Sequence, residues 1–293
     1  MAVLMEPPAH PVVRVDTPDG ETIAVHVIGE GKPLMCVPGG PARASAYLED
    51  FAGLSEQRKL LRVDLRGTGL SPLPADRDSL AFHRLADDLD VVREAQGLET
   101  IDLIAHSAGG FVTLAYAAKF PERVGRIVFV TPSGKPFGDV EGDIKAIRAS
   151  RSGEPWYAEA AAVEAELELM PPRMRMRFDP GLRVFGYAKW DERSQAHADS
   201  TDGQMSMRAM AAFIPDSDAA AELNLTERLK AVEAPVLVVV GSLDGITGVK
   251  AGHLVADMFA DATVVELPGG AHYPWIDSPE EFRDTVVSFL EAG

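Results

Sequence analysis

Apolar residues recur along this chain in two alternating patterns. Short, mostly apolar runs at Leu34 to Val37, Lys59 to Val63, Thr100 to Ala105, Arg126 to Val130, Pro235 to Val240 and Thr263 to Leu267 read as buried strands. Between several of them lie stretches with helical spacing: Ser45 to Leu54, Phe82 to Gln96 (Leu85, Leu89 and Val92 on one face), Phe111 to Phe120, and Val249 to Phe259. Near the N-terminus, Val12 to Thr17 and Thr22 to Ile28 are β-branched and alternating. The turn signal Thr17-Pro18-Asp19-Gly20 between them predicts a hairpin. Ser278-Pro279-Glu280-Glu281 has the form of a capping box and opens a last helix running to about Leu290. Strands alternating with helices predict an α/β protein with a mostly parallel sheet covered on both faces.

The alternation breaks between β-like Arg126 to Val130 and β-like Pro235 to Val240. Residues 133–224 are rich in Ala, Glu, Arg and Met and carry no good strand. The segment is too long for an ordinary loop, so it reads as a helical lid inserted into a core made of residues 1–132 and 225–293. Its aromatic and Met side chains (Trp156, Tyr157, Met174, Met176, Phe178, Phe185, Trp190 and Phe213) are the pool from which a pocket lining would come. Trp156, Tyr157, Phe185 and Trp190, with Gly39 from the core, are the expected substrate contacts.

The candidate chemistry centres on Ala105-His106-Ser107-Ala108-Gly109-Gly110, which joins a strand-like run to a helix-like run. A serine at a sharp strand-to-helix turn, with small residues two positions away on each side, is the arrangement that presents a nucleophile. Here those neighbours are Ala105, where glycine is usual, and Gly109. A serine hydroxyl needs a base, and the base needs an orienting acid. Asp244 follows the apolar run Val236 to Val240, and His272 follows Glu266-Leu267-Pro268-Gly269-Gly270-Ala271, so both stand after the C-terminal ends of strands. Asp139 and Glu141, after the strand Arg126 to Val130, are the reserve acids. His106 is adjacent to Ser107 and reads as a packing or hydrogen-bonding residue. Two backbone N–H groups are needed for an oxyanion. Ala108 supplies one at a helix N-terminus. In Pro38-Gly39-Gly40-Pro41 the prolines have no N–H, and Gly40 is the choice for the second.

Together these residues resemble the α/β-hydrolase superfamily. The markers are Pro38-Gly39-Gly40-Pro41, Asp64-Leu65-Arg66-Gly67-Thr68-Gly69-Leu70-Ser71, the His106-to-Gly110 elbow, and Gly270-Ala271-His272. The first two look like the branch containing proline iminopeptidases. That branch usually has His where Pro38 stands and Gly where Ala42 stands, and it grips a substrate amino group with lid carboxylates. Glu159, Glu164, Asp191 and Glu192 are acids of the lid, though none matches that role. The resemblance implies an α/β-hydrolase fold with a helical lid. It also implies a serine hydrolase in which Ser107, His272 and Asp244 cleave an ester, lactone, thioester or amide with no metal or organic cofactor. A proline iminopeptidase-type aminopeptidase is the alternative enzyme, and a non-catalytic ligand-binding protein of the same fold is the alternative class. Asp64 and Arg66 are expected to be structural. A serine nucleophile speaks against the dehalogenases and epoxide hydrolases that resemble this fold but use Asp there.

Composition narrows the partners. Forty-five acidic against 28 basic residues leave a net charge of −17, which argues against nucleic acid or an anionic membrane as partner and mildly favours cationic or neutral substrates. A small molecule or short peptide is the expected substrate; oligomeric state is open. The single cysteine, Cys36, sits in an apolar run and reads as a buried thiol. Met1 to His10 lacks the features of a secretory signal, and with one cysteine the expected location is the cytoplasm.

Overall fold

The computed structural model describes residues 9–170, 180–213 and 223–292. Its centre is an eight-stranded sheet of β1 (Val12–Asp16), β2 (Thr22–Ile28), β3 (Pro33–Val37), β4 (Lys59–Asp64), β5 (Ile101–His106), β6 (Val124–Val130), β7 (Val236–Gly241) and β8 (Ala262–Leu267). The spatial order is β1-β2-β4-β3-β5-β6-β7-β8. β1 and β2 form the expected antiparallel hairpin, β2 meets β4 antiparallel, and every later pairing is parallel.

The central strands are mostly apolar because both faces are covered, and one buried exception, Asp102 in β5, is paired with Arg58. Val37, Leu103, Ala105 and Val238 face a core that includes α1 (Phe82–Ala95), α2 (Gly109–Lys119), α8 (Leu225–Lys230) and α9 (Val249–Ala256). Their alternates Cys36, Ile104 and Val239 face a second core with Tyr47, Phe51, Trp275 and Phe282. That second layer includes α10 (Pro274–Asp277) and α11 (Pro279–Glu291). The period of two along each strand thus divides one apolar run between two cores. Cys36 is fully buried, and burial pushes its thiol up to about 12.

Between β6 and β7 the chain forms α3 (Glu141–Ser150), α4 (Tyr157–Leu169), a 3-10 segment at Pro180–Gly186, α5 (Glu192–Asp199), α6 (Thr201–Gln204) and α7 (Met207–Phe213). The bridge between Arg43 and Met205 is isolated, and no β-strand is assigned among the described residues of this stretch.

Two local expectations fail. Ser45 to Leu54 is not one helix but two 3-10 turns, Ser45–Leu48 and Leu54–Glu56. Glu49, Phe51 and Ala52 between them have positive φ. Asp50 accepts from the Gly53 N–H and the Ser55 hydroxyl, a local alternative to helical bonding. The turn seats Phe51 and Leu54 in the core. The Ser278 capping box is also absent. Ser278 has φ −138° and ψ 63° and makes no side-chain cap, because α10 ends on it and its N–H donates to the Pro274 carbonyl. A full capping box does form at Asp191 and Ser194, at the start of α5.

Candidate active site

Ser107 follows β5 with φ +51°, the left-handed region that a side chain rarely adopts. Its N–H donates to the Val130 carbonyl, and its own carbonyl accepts from Gly110 and Ser133. The turn is held against the loop after β3 at very short range. A Cβ on Gly109 would lie 2.6 Å from the carbonyl oxygens of Val37 and Pro38. One on Gly39 would lie 2.5 Å from the His106 carbonyl. Only glycine fits at either position.

Asp244 and His272 meet at the ends of β7 and β8. Asp244 is fully buried and each of its oxygens is occupied. Oδ1 accepts from the Ile246 and Thr247 N–H groups at 2.8 and 3.0 Å. Oδ2 accepts from the Thr247 hydroxyl at 2.6 Å and from His272 Nδ1 at 3.0 Å. Burial pushes this carboxyl up, but the facing His272 and the hydrogen bonds from His272 and Thr247 outweigh it and hold it below the usual carboxylate value. An ionised carboxylate can only accept, so Nδ1 carries hydrogen, and the neutral imidazole is left with a bare Nε2. The reserve acids are elsewhere. Asp139 caps the N–H of Glu141 at the surface, and Glu141 pairs with Lys135.

The histidine loop is held by its backbone. The His272 carbonyl accepts from Thr131 Oγ1 at 2.9 Å and lies 3.0 Å from His106 Nε2. A carbonyl cannot donate, so His106 carries its hydrogen on Nε2 and Nδ1 accepts from the Tyr47 hydroxyl at 2.7 Å. That hydroxyl in turn accepts from the Gly39 N–H at 2.7 Å. Burial, then the neighbouring His272, depress the His106 pKa well below that of a free imidazole, so this linker is neutral. The Gly39 N–H is therefore engaged, and of the two glycines in the loop Gly40, with φ +117°, is the one that borders the cavity beside Ser107.

That cavity has a volume of about 120 Å³. Ser107, His272, Gly40, Arg43, Tyr47 and Tyr273 border it from the sheet side, and Arg148, Leu182, Arg183, Gly186, Tyr187 and Met205 from the segment between β6 and β7. The aromatic residues expected there are not among its lining. Trp156, Tyr157, Phe185 and Trp190 pack with one another, Val184 and Leu182 in a small core of their own. Phe213 joins the core under α1 and α2. Gly39 lies beneath the serine and not on the cavity wall. Met174, Met176 and Phe178 fall outside the described residues.

Sequence reasoning missed Arg43, Tyr47, Thr131, Tyr187 and Tyr273. Two of these stood next to a motif: Arg43 lies three residues beyond Gly40, and Tyr273 directly follows His272. Asp64 and Arg66 are structural ties. Asp64 accepts from His26, the Ser45 N–H and hydroxyl, and the Leu70 N–H, while Arg66 pairs with Asp88 and Asp19.

A parallel sheet with an antiparallel N-terminal hairpin, a serine on a strained strand-to-helix turn and a carboxylate–imidazole pair after the last two strands define an α/β-hydrolase. The family model described as alpha/beta hydrolase fold matches residues 32–279, and the chain belongs to that family of enzymes. Among relatives, it is 27% identical over 276 residues to a (lyso)-N-acylphosphatidylethanolamine lipase of Mus musculus, covering 87% of this chain and 78% of that protein. Two solved structures share the fold. The proline iminopeptidase of Mycobacterium smegmatis superposes with a TM-score of 0.73 at 22% identity, covering 96% of this chain and 97% of that one. The esterase RhEst1 from Rhodococcus sp. ECU1013 superposes with 0.66 at 24% identity, covering 96% and 98%. Among the described residues no helix is long and apolar enough to cross a membrane.

Proposed function

We propose that this enzyme is a serine hydrolase that cleaves a small ester, lactone, thioester or amide through an acyl-enzyme. The carrying observation is the Asp244–His272 bond at 3.0 Å, which leaves Nε2 bare on a residue that shares a cavity with Ser107. In this reading His272 takes the Ser107 proton as the hydroxyl attacks the carbonyl carbon, and Asp244 stabilises the imidazolium. The Gly40 and Ala108 N–H groups hold the oxyanion, the second aided by the N-terminus of α2. The imidazolium returns its proton to the leaving group. Water, deprotonated by the same histidine, then releases the acid. Residues 133–224 act as the lid over a core of 1–132 and 225–293, since most of the cavity's far wall comes from them.

The aminopeptidase alternative is weaker. Among the described residues no Asp or Glu borders the cavity, so no carboxylate there would hold an amino group. Glu159 and Glu192 are exposed, Glu164 is paired with Arg148, and Asp191 caps α5.

The deciding experiment is covalent labelling with a fluorophosphonate, read by intact mass and peptide mapping, beside Ser107→Ala. An adduct on Ser107 that is lost in the variant supports the reading. Folded protein that takes no label and turns over neither simple esters nor prolyl anilides would sink it and bring the binding-protein alternative forward.

A further inference from the structure

The cavity wall is positively charged although the chain as a whole is strongly acidic. Arg43, Arg148 and Arg183 all border it. Arg148 is neutralised by Glu164, and Arg183 by Asp202. Arg43 is different. It is 2% exposed, and among the described residues it donates to neutral oxygens: Gln204 Oε1 at 2.8 Å, Ser200 Oγ at 2.9 Å and the His197 carbonyl at 3.3 Å. Its guanidinium stacks 4.1 Å from the centre of the Tyr47 ring. Among the described residues no carboxylate pairs with it. A buried guanidinium is always charged, and such charges are normally matched by an anion.

Two further observations concern the surroundings of these guanidinium groups. His197 is held down to about 4, by burial first and then by the charge of Arg43. Arg183 also keeps its Nε buried without an acceptor among the described residues. Arg43 borders the same cavity as Ser107 and His272, and a Cβ on Gly40 would lie 2.8 Å from the Arg43 Cβ.

The geometry points to a substrate that brings the missing anion: Arg43 receives a carboxylate of the acyl portion while Ser107 attacks the ester, lactone or amide carbonyl of the same small molecule. This rests on the serine hydrolase reading and narrows it to half-esters, half-amides or related carboxylate-bearing acyl compounds. Nε and Nη2 of Arg43 are already committed to those neutral oxygens, which leaves Nη1 to meet the carboxylate in a charge-assisted hydrogen bond. The cavity is about 120 Å³, below the roughly 150 Å³ that accepts benzene, so the acyl chain is short. The acidic balance of the whole chain does not set the sign of this wall: among the described residues no Asp or Glu borders it.

The test compares monomethyl esters of succinic, glutaric and adipic acids with methyl esters of the same chain length ending in an isopropyl group, which matches a carboxylate in shape without its charge. Release of acid is followed by chromatography. The wild type should favour one of the carboxylate-bearing esters by about 30-fold or more in kcat/KM, chiefly through KM. Arg43→Met and Arg43→Lys should shrink that ratio, Met the more. A ratio is insensitive to a general loss of folded enzyme. Calorimetric titration of succinate, glutarate and adipate into Ser107→Ala reads the anion site without turnover. Equal or better cleavage of the neutral esters, with no dicarboxylate binding, overturns the inference while leaving the hydrolase reading intact. No cleavage and no fluorophosphonate adduct would overturn the hydrolase reading, and the titration would still decide whether Arg43 binds an anion.

Discussion

Tyr47 donates its phenolic proton to His106 Nδ1 across 2.7 Å, and through that bond the loop carrying Gly39 and Gly40 is joined to the loop carrying His272. Neither Tyr47 nor His106 is proposed to touch a reacting atom; they are positioning residues. Tyr47→Phe keeps the ring under Arg43 and removes the hydroxyl, leaving the Gly39 N–H and His106 Nδ1 unpaired. Stability should fall by about 1–3 kcal/mol. Thermal unfolding measures that loss, and a kcat that drops while KM holds would distinguish misplacement of the oxyanion loop from loss of substrate contact.

Asp244→Asn should lower kcat by on the order of 10³- to 10⁴-fold with little change in fold. The amide would present a donor to His272 and favour the wrong tautomer. Steady-state kinetics on any ester that the wild type cleaves measures the effect. A loss under about tenfold would remove Asp244 from the proposed triad.

Activity should fall toward acid pH, because His272 must be neutral to accept the serine proton. Asp244 remains ionised through this fall, since its pKa is held below the usual carboxylate value. A rate that stays level down to about pH 4 contradicts a histidine base.

Asp277 gives a separate pH signature. Its Oδ1 accepts from the Ala188 N–H and its Oδ2 from the Ala271 N–H, at 2.9 Å each. Burial raises its pKa to about 6, against those two bonds and the charge of Arg151. The folded protein therefore holds this proton in a range where the unfolded chain has released it. The associated stability is fully present below pH 3.8, the ordinary value for an Asp side chain, and is lost as pH rises through about 6. Wild type should lose up to about 3 kcal/mol relative to Asp277→Asn between pH 4 and pH 8. Denaturant melts of both proteins across that range measure it, and parallel curves would contradict the raised pKa.

Gly39→Ala probes the close approach under the serine. The added carbon would lie 2.5 Å from the His106 carbonyl oxygen and 2.9 Å from Ser107 Cβ. A shift of the elbow or the loop should cost about 1–3 kcal/mol and most of the activity. Full activity in a well-folded Gly39→Ala protein would show that the two loops are not held as closely as described.

Much of the sheet was legible because its central strands are covered on both faces, so Val236–Gly241 is apolar without a break. The positions of Ser107, Asp244 and His272 were legible because each follows the C-terminal end of a strand-like run. Their roles remain a proposal. Pocket lining was not legible. Trp156 and Phe185 are large and apolar, but composition says nothing about which way a helix turns, and here both face their own small core. Arg43 was overlooked for the opposite reason. An isolated arginine in a loop reads as a surface charge until the fold buries it, and the net charge pointed away from a positive pocket.

The arm that borders the cavity is tied by its backbone to the loop that carries Gly40. The Ala44 N–H donates to the Gln204 carbonyl, and the Ser206 N–H donates to the Ala42 carbonyl. Arg43 lies between these two ties, and Gly40 stands two residues before them. Lifting this arm would strain or break the ties and free the segment that carries Gly40, the proposed oxyanion donor. If the arm moves at all, the entrance and the catalyst share one hinge, so an opened enzyme would be disarmed and would regain its reactivity only by shutting on what it has caught.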